Sequence, residues 1–258
     1  MKIVVLIKQV PDTYGDRKLT SNGLVDRDAN DAVIDEIGER ALEVALQQKD
    51  GDKRTEIVAL SMGPSTVTAA LRKALSMGAD SAVHVHDESL AGADLARTAT
   101  VLAAAIRSIG GGDLIVAGNE STDGRGGLIP AMLAEHLGLR YLCALDGIEI
   151  ADSVRGEQST ESGTMKVRAA LPAIISVTES SDEARFPNFK GIMTAKKKPL
   201  SVISLDDIGI APAQLGALGR SAVVTVTERP AREAGRKIVD DGTAAIELAE
   251  FLATGRLI

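Results

Sequence analysis

The chain has 258 residues, a formal net charge of −7, one cysteine and only 2% aromatic residues. The charge argues against nonspecific nucleic-acid binding, which draws its affinity from paired phosphates. A single Cys143 excludes an intrachain disulfide or a cysteine-based zinc cluster.

With no Trp, two Tyr and three Phe, the core must be built from Val, Ile, Leu and Ala, which suits a buried parallel sheet. The length allows one large α/β domain, or a domain plus an appendage. No apolar run approaches the ~20 residues of a bilayer span. The start, MKIVVLIKQV, lacks the long apolar region and cleavage site of a signal peptide, so a cytoplasmic protein is expected.

Residues 2–7 read as a fully buried strand, stopped by Pro11, Asp12 and Gly15. Apolar residues at helical spacing predict a helix over 31–48, capped by Asn30 or Asp31. Residues 56–61 form a second strand, closed by Met62-Gly63-Pro64. A helix opening near Ser65 or Thr66 and stopped by Gly78 follows. Residues 81–86 predict a third strand and 94–109 an Ala-rich helix; Gly110 to Gly112 then precede a strand over 114–117. The next segment, GNESTDGRGG, leads into an amphipathic helix ending at Leu137.

Strands alternating with such helices call for right-handed crossovers and a largely parallel sheet. The strand ends at Lys8, Ser61 and Gly118 then face one side and share a crevice, where open α/β sheets bind ligands. Beyond Leu137 the pattern changes to an antiparallel ribbon over 141–150, 152–155 and 164–171, with EQSTESG as a polar turn. A buried strand over 173–177 comes next, then a polar loop over 180–190. A short basic helix or turn over 191–198 precedes a last apolar run to Leu205. From about Gly209 the chain is rich in Ala, Gly and Pro until a final helix over 242–253. So weakly patterned a tail is expected to be an arm packed on a partner.

The loop 118–126 matches neither common phosphate fingerprint. Gly118, Gly124, Gly126 and the following Gly127, with Asn119, Ser121, Thr122 and Asp123 at a strand end, nonetheless suit a phosphate-bearing ligand; the alternative is an ordinary glycine-rich turn. Asp123 either accepts ligand or backbone hydrogens or caps the next helix. Ser61, Met62 and Gly63 offer backbone to an adenine edge, or merely a helix entry. Lys8 is a crevice charge or a solvated strand end.

His84 and His86 share a strand face, but no third metal ligand is evident, and no nucleophile–base pairing can be proposed from spacing. The carboxylates read as solvated helix faces. Phe186 and Phe189 stand in a polar loop beside Lys190, Lys196, Lys197 and Lys198. They either fold back on the sheet or form an apolar anchor for a partner.

Several stretches together, MKIVVLIKQVPDT, ALSMGP with ALRKALSMGAD, AGNESTDGRGG, VRAALPAIISVTE and ARFPNFKGIMTAKKK, resemble the beta subunits of electron transfer flavoproteins (the FixA-type group). The similarity is collinear from Met1 to about Ile210. It implies a Rossmann-like, mostly parallel sheet with helices on both faces, an antiparallel ribbon and a C-terminal arm. It also implies two regions: 1–190 binding the nucleotide, and 191–258 completing the recognition loop and packing on an alpha subunit.

By that resemblance the alpha subunit holds most of the FAD, and this chain buries an AMP in a structural, non-redox role. The matching positions are Leu6, Asp35 to Gly38, Met62 and the loop Gly118, Asn119, Glu120, Ser121, Thr122, Asp123, Gly124, Arg125 and Gly126. Phe186, Phe189, Ile192 and Met193 match a loop that docks acyl-CoA or other flavin dehydrogenases. The function implied is electron carriage to a membrane quinone oxidoreductase or another acceptor, without catalysis of its own and without membrane insertion.

Three departures stand out. Gln158 and Ser159 replace the family's Arg-Glu pair, Thr13 stands where a Tyr is common with Tyr14 adjacent, and the loop before Gly126 is two residues shorter than in the mammalian type. Competing readings are a nucleotide-binding hydrolase or ligase, and a universal-stress-type adenine-nucleotide regulator. The first lacks a P-loop and an acid–base set; the second needs neither the Phe loop nor the tail.

Overall fold

The structure is a computed structural model that describes residues 1–16, 18–217, 221–227, 230 and 234–258. In chain order the first half contains β1 (Lys2–Leu6), β2 (Gln9–Pro11), β3 (Ala32–Ile34), α1 (Glu36–Gly51), β4 (Glu56–Met62), α2 (Val67–Met77) and β5 (Ser81–Val85). Next come α3 (Leu95–Ser108), β6 (Leu114–Gly118), α4 (Ile129–Leu137), β7 (Arg140–Ile150), β8 (Ser153–Thr160), β9 (Gly163–Ala170) and β10 (Ala173–Val177). The chain continues with α5 (Phe189–Ala195), β11 (Leu200–Ile203), α6 (Pro212–Ala217) and α7 (Ala244–Thr254). Two compact units result, Met1–Val223 and Val224–Ile258. The second contains α7.

Nine strands form one sheet in the order β11-β5-β4-β1-β6-β10-β7-β8-β9. All pairings from β11 to β7 are parallel, and only the β7-β8-β9 ribbon is antiparallel. From β1 the chain steps outward to β4 and β5, then returns to place β6 on the other side of β1. That reversal makes a topological switch point between β1 and β6, where their carboxyl ends leave a crevice.

Side chains alternate across the buried strands, so each strand feeds two cores. Ile3, Val5, Ile57 and Ala59 pack on one face with Ala41, Leu42, Leu71 and Leu75 of α1 and α2. Val4, Leu60, Ile115 and Ile174 pack on the other with Val101 and Leu102 of α3 and Leu133 of α4. These continuous Val/Ile/Leu/Ala runs are the pattern of strands covered on both sides. The expected α/β class, parallel sheet, two helical layers and ribbon are all present.

Two boundaries differ from expectation. The helix predicted over 31–48 begins only at Glu36, because Ala32–Ile34 pairs antiparallel with Gln9–Pro11. Val33 and Ile34 are β-branched and suit that pairing. Asp35, rather than Asn30 or Asp31, caps the helix, its Oδ1 accepting from the Ile37 amide at 3.0 Å. The EQSTESG segment is mostly strand: β8 runs to Thr160, which pairs with Gly163, leaving Glu161 and Ser162 as a two-residue turn.

Candidate functional site

A cavity of about 900 Å³ opens at the carboxyl ends of β1, β4, β5 and β6. Its size is that of a small-molecule pocket. Leu6, Asp35, Gly38, Met62, Gly63, Gly118, Asn119, Glu120, Ser121, Gly124 and Gly126 all line it, as does Lys8. Ser61, Thr122, Asp123 and Arg125 do not; they stand just behind or beside the wall.

Short polar contacts hold the loop after β6. The Asn119 amide donates to the Val177 carbonyl on β10 at 2.7 Å, continuing the sheet by one bond. Thr122 donates its amide and its hydroxyl to Asp35 Oδ2 at 2.7 and 2.9 Å. Asp35 therefore does two tasks, capping α1 through one oxygen and seating the loop through the other. Gly118 is required by space: a Cβ there would lie 2.9 Å from Ile37 Cγ2 and 3.1 Å from the Glu120 carbonyl. Arg125 reaches outward with φ of 45°, 3.7 Å from Glu120.

Asp123 is the buried charge of the site. Its side chain is 1% exposed and pairs with Lys8 Nζ at 2.7 Å and Arg27 Nη2 at 2.8 Å. Lys8 Nζ also donates to Ser121 Oγ at 3.0 Å. Burial alone opposes the Asp123 charge, but the Lys8 and Arg27 cations and the Ser121 hydrogen bond outweigh it and hold the carboxyl well below the usual range. Asp123 does not cap α4, whose N-cap Leu128 makes no side-chain cap bond. One carboxylate against two cations leaves this cluster with one positive charge beside the Ser121 hydroxyl, on a cavity whose lining also includes Asp28, Asp31, Asp35, Asp87, Glu88, Asp94 and Glu120.

Around this wall Asn119 Oδ1, Ser61 Oγ and Asp123 Oδ2 are buried and make no hydrogen bond among the described residues, the last being ion-paired with Arg27. Asn119 lines the cavity, but its side-chain oxygen is buried away from it.

His84 and His86 stack with ring centroids 5.4 Å apart. Both donate to one acceptor, the Gly63 carbonyl, from His84 Nε2 at 2.9 Å and His86 Nδ1 at 3.2 Å. Burial pushes the His84 pKa down; the Gly63 bond opposes this and His86 adds to it. The pair thus fixes the Met62-Gly63-Pro64 turn on the cavity wall. No group of three or more His, Cys, Asp or Glu among the described residues is arranged to hold a metal.

The second site lies on the same unit. Phe186 and Phe189 are 93% and 80% exposed, and Ile192 and Met193 are exposed beside them. Neither Phe folds back on the sheet. The helix α5 starts at Phe189, earlier than expected, because Asn188 caps it through the Gly191 amide at 2.7 Å.

Sequence reasoning missed Arg27 and Glu43. Arg27 sits in a polar stretch with no periodicity, and only folding brings it to Asp123. Glu43 is not a solvated helix charge: it is buried and accepts from Arg185 Nη2 at 2.7 Å and Nε at 2.8 Å. Its position between the core residues Leu42 and Val44 was the available signal. No helix among the described residues is long and apolar enough to cross a membrane.

A profile of the electron transfer flavoprotein domain matches residues 22–208. The chain is 46% identical over 263 positions to the electron transfer flavoprotein subunit beta of Mycobacterium leprae, covering 99% of each protein. It is 31% identical to the subunit beta of Megasphaera elsdenii over the full length of both. With 98% of this chain and 97% of the relative covered, it is 29% identical to the caffeyl-CoA reductase-Etf complex subunit CarD of Acetobacterium woodii. The chain belongs to the electron transfer flavoprotein family, as a beta subunit.

Proposed function

We propose that this beta subunit buries one AMP in its crevice, where the nucleotide has a structural role. An alpha subunit holds most of the FAD, and the cytoplasmic pair carries electrons from acyl-CoA or other flavin dehydrogenases to a quinone oxidoreductase or another acceptor. On this reading residues 1–190 bind the nucleotide, and 191–258 complete the docking segment and pack on the alpha subunit. The observation that carries it is the cavity at the β1/β6 switch point, walled by the loop 118–126 with a net positive Lys8–Asp123–Arg27 cluster.

The residues present fit an adenine mononucleotide. The Ser121 hydroxyl and Lys8 suit a single phosphate. The wall at Met62, fixed by the two histidines on the Gly63 carbonyl, suits the face of a base. FAD supplies the electron transfer itself when bound. This chain's own groups only hold, orient and exclude water: both histidines at the crevice are spent on Gly63, and Asp123 on its cations. Phe186, Phe189, Ile192 and Met193, with Lys190, Lys196 and Lys197 nearby, suit a partner with an apolar pocket. Gln158, at the family's Arg-Glu position, donates to the Cys143 carbonyl at 2.7 Å, so its amide is engaged within this chain.

Co-expression with an alpha subunit tests the reading. The purified pair should be yellow and release one FAD and one AMP per heterodimer on denaturation. A colourless, stable monomer that turns over ATP would overturn it.

A further inference from the structure

The segment 180–198 presents four exposed apolar side chains, yet its backbone is tied at both ends to the helical layer beneath. At the entry, Arg185 forms a two-bond fork to the buried Glu43 of α1, and the Arg185 amide donates to the same carboxylate at 3.1 Å. Arg185 Nη1 pairs with Asp50 at 2.8 Å. Arg40 donates to the Ser181 carbonyl, and Gln47 to Asp182 at 3.1 Å. The whole entry therefore lies along one face of α1.

At the exit the partner is α2. Arg72 Nη1 donates to the carbonyls of Ala195 and Lys198 at 2.8 and 3.0 Å. Lys198 Nζ returns two bonds to the last-turn region of α2, to the Leu75 and Ala79 carbonyls at 2.9 and 2.6 Å. Between these ties, α5 approaches α2 so closely that a Cβ at Gly191 would collide with the Ser76 carbonyl. Only glycine allows that approach. Burying Glu43 is costly unless it is fully paired, and this cost goes to ordering an exposed loop, not to filling the core.

We infer that Glu43, Arg185, Arg72 and Gly191 are positioning residues for docking: they hold 186–193 as a preformed apolar ridge, so the partner binds without first ordering the segment. The inference rests on the docking role proposed above. None of the four needs to touch the partner. A ridge ordered in advance spares the complex the entropy of immobilising it, which appears as affinity rather than as turnover.

The test uses the heterodimer with a substrate-reduced acyl-CoA dehydrogenase, varying the carrier concentration. Glu43→Gln breaks the entry fork, Gly191→Ala pushes α5 off α2, and Arg72→Gln frees the exit. Each should raise the KM for the carrier by about tenfold, the scale of a displaced anchor, with kcat unchanged. FAD and AMP content should also be unchanged, and amide exchange across 186–195 should quicken. Lys73→Met, which breaks the Lys73–Glu39 pair between the same two helices but outside the clamp, should leave KM alone.

Phe189→Ala separates the two readings. If it raises KM while faster exchange in the clamp variants leaves KM unchanged, the positioning inference is overturned and docking stands. If Phe189→Ala itself leaves KM unchanged, the docking role falls and the inference with it. Should Glu43→Gln fail to fold, Gly191→Ala and Arg72→Gln decide the matter, since neither removes a buried charge from its partner.

Discussion

The crevice loop 118–126 and the segment 180–198 both leave the carboxyl end of a parallel strand, β6 and β10, and both are rich in polar residues. They use those residues in opposite directions. In the crevice loop, Thr122 and Asp123 turn inward to Asp35, Lys8 and Arg27, so charge is buried and the cavity wall is rigid from within. In the second segment, polar groups tie the backbone down to α1 and α2 while the apolar side chains of Phe186, Phe189, Ile192 and Met193 point out. A retained ligand needs polar groups fixed around an enclosed space. A transient partner needs apolar surface that is exposed yet already ordered.

The largest effect that could break this contrast is on Phe189. An exposed aromatic serving as a central anchor is worth about 2 kcal/mol or more at an interface, roughly a thirtyfold change in affinity. Phe189→Ala should raise the dehydrogenase's KM for the carrier on that scale, while the thermal midpoint and nucleotide content stay as they are. If the midpoint drops and KM holds, Phe189 is a packing residue and the contrast is wrong at its outer end.

Asp123 tests the inner end. Removing one partner of a fully buried ion pair costs about 3–5 kcal/mol. Here Lys8 and Arg27 side chains are 44% and 47% exposed and can regain water, so the cost falls to about 2 kcal/mol. Asp123→Ala should lower stability by that amount in urea unfolding and deplete AMP, with the KM for the dehydrogenase unchanged. An equal loss of docking would mean that the two segments are coupled rather than independent.

Much of this was readable beforehand, and the reasons are physical. The buried strands are runs of Val, Ile, Leu and Ala with helical spacing between them, so the parallel sheet follows from local pattern. The crevice loop stood out because small polar residues clustered at a strand end. What pattern cannot carry is pairing across distant chain: Asp123 with Arg27, or Glu43 with Arg185, 142 residues apart. Ser61, Thr122, Asp123 and Arg125 shared in the motif but stand off the cavity, because a motif marks a stretch and only the fold decides which side chains face inward. The exposure of Phe186 and Phe189 was likewise undecidable from periodicity, since a polar loop imposes none.

The smallest effect concerns the Met62-Gly63-Pro64 turn on the crevice wall, and acid supplies it. His84 is 1% exposed, donates Nε2–H to the Gly63 carbonyl, and leaves Nδ1 buried without a partner among the described residues. Burial penalises a second proton there more than the Gly63 and Pro64 carbonyls favour it, so the folded pKa lies below the ordinary ~6.5. Below that pH the unfolded chain binds more protons than the folded one, and stability falls as pH falls. The slope for one such group is at most about 1.4 kcal/mol per pH unit. His84→Gln keeps a donor for Gly63 and removes the titration, so its midpoint should decline less between pH 7 and 5 than that of the native chain. His86 shares the Gly63 carbonyl, lies 3.7 Å from Glu88 and is present in both proteins. Equal slopes would show that His84 is not held neutral by its burial. A steeper native slope accompanied by AMP loss, with the dehydrogenase's KM constant, would show acid acting on the crevice and leaving the segment 180–198 in place.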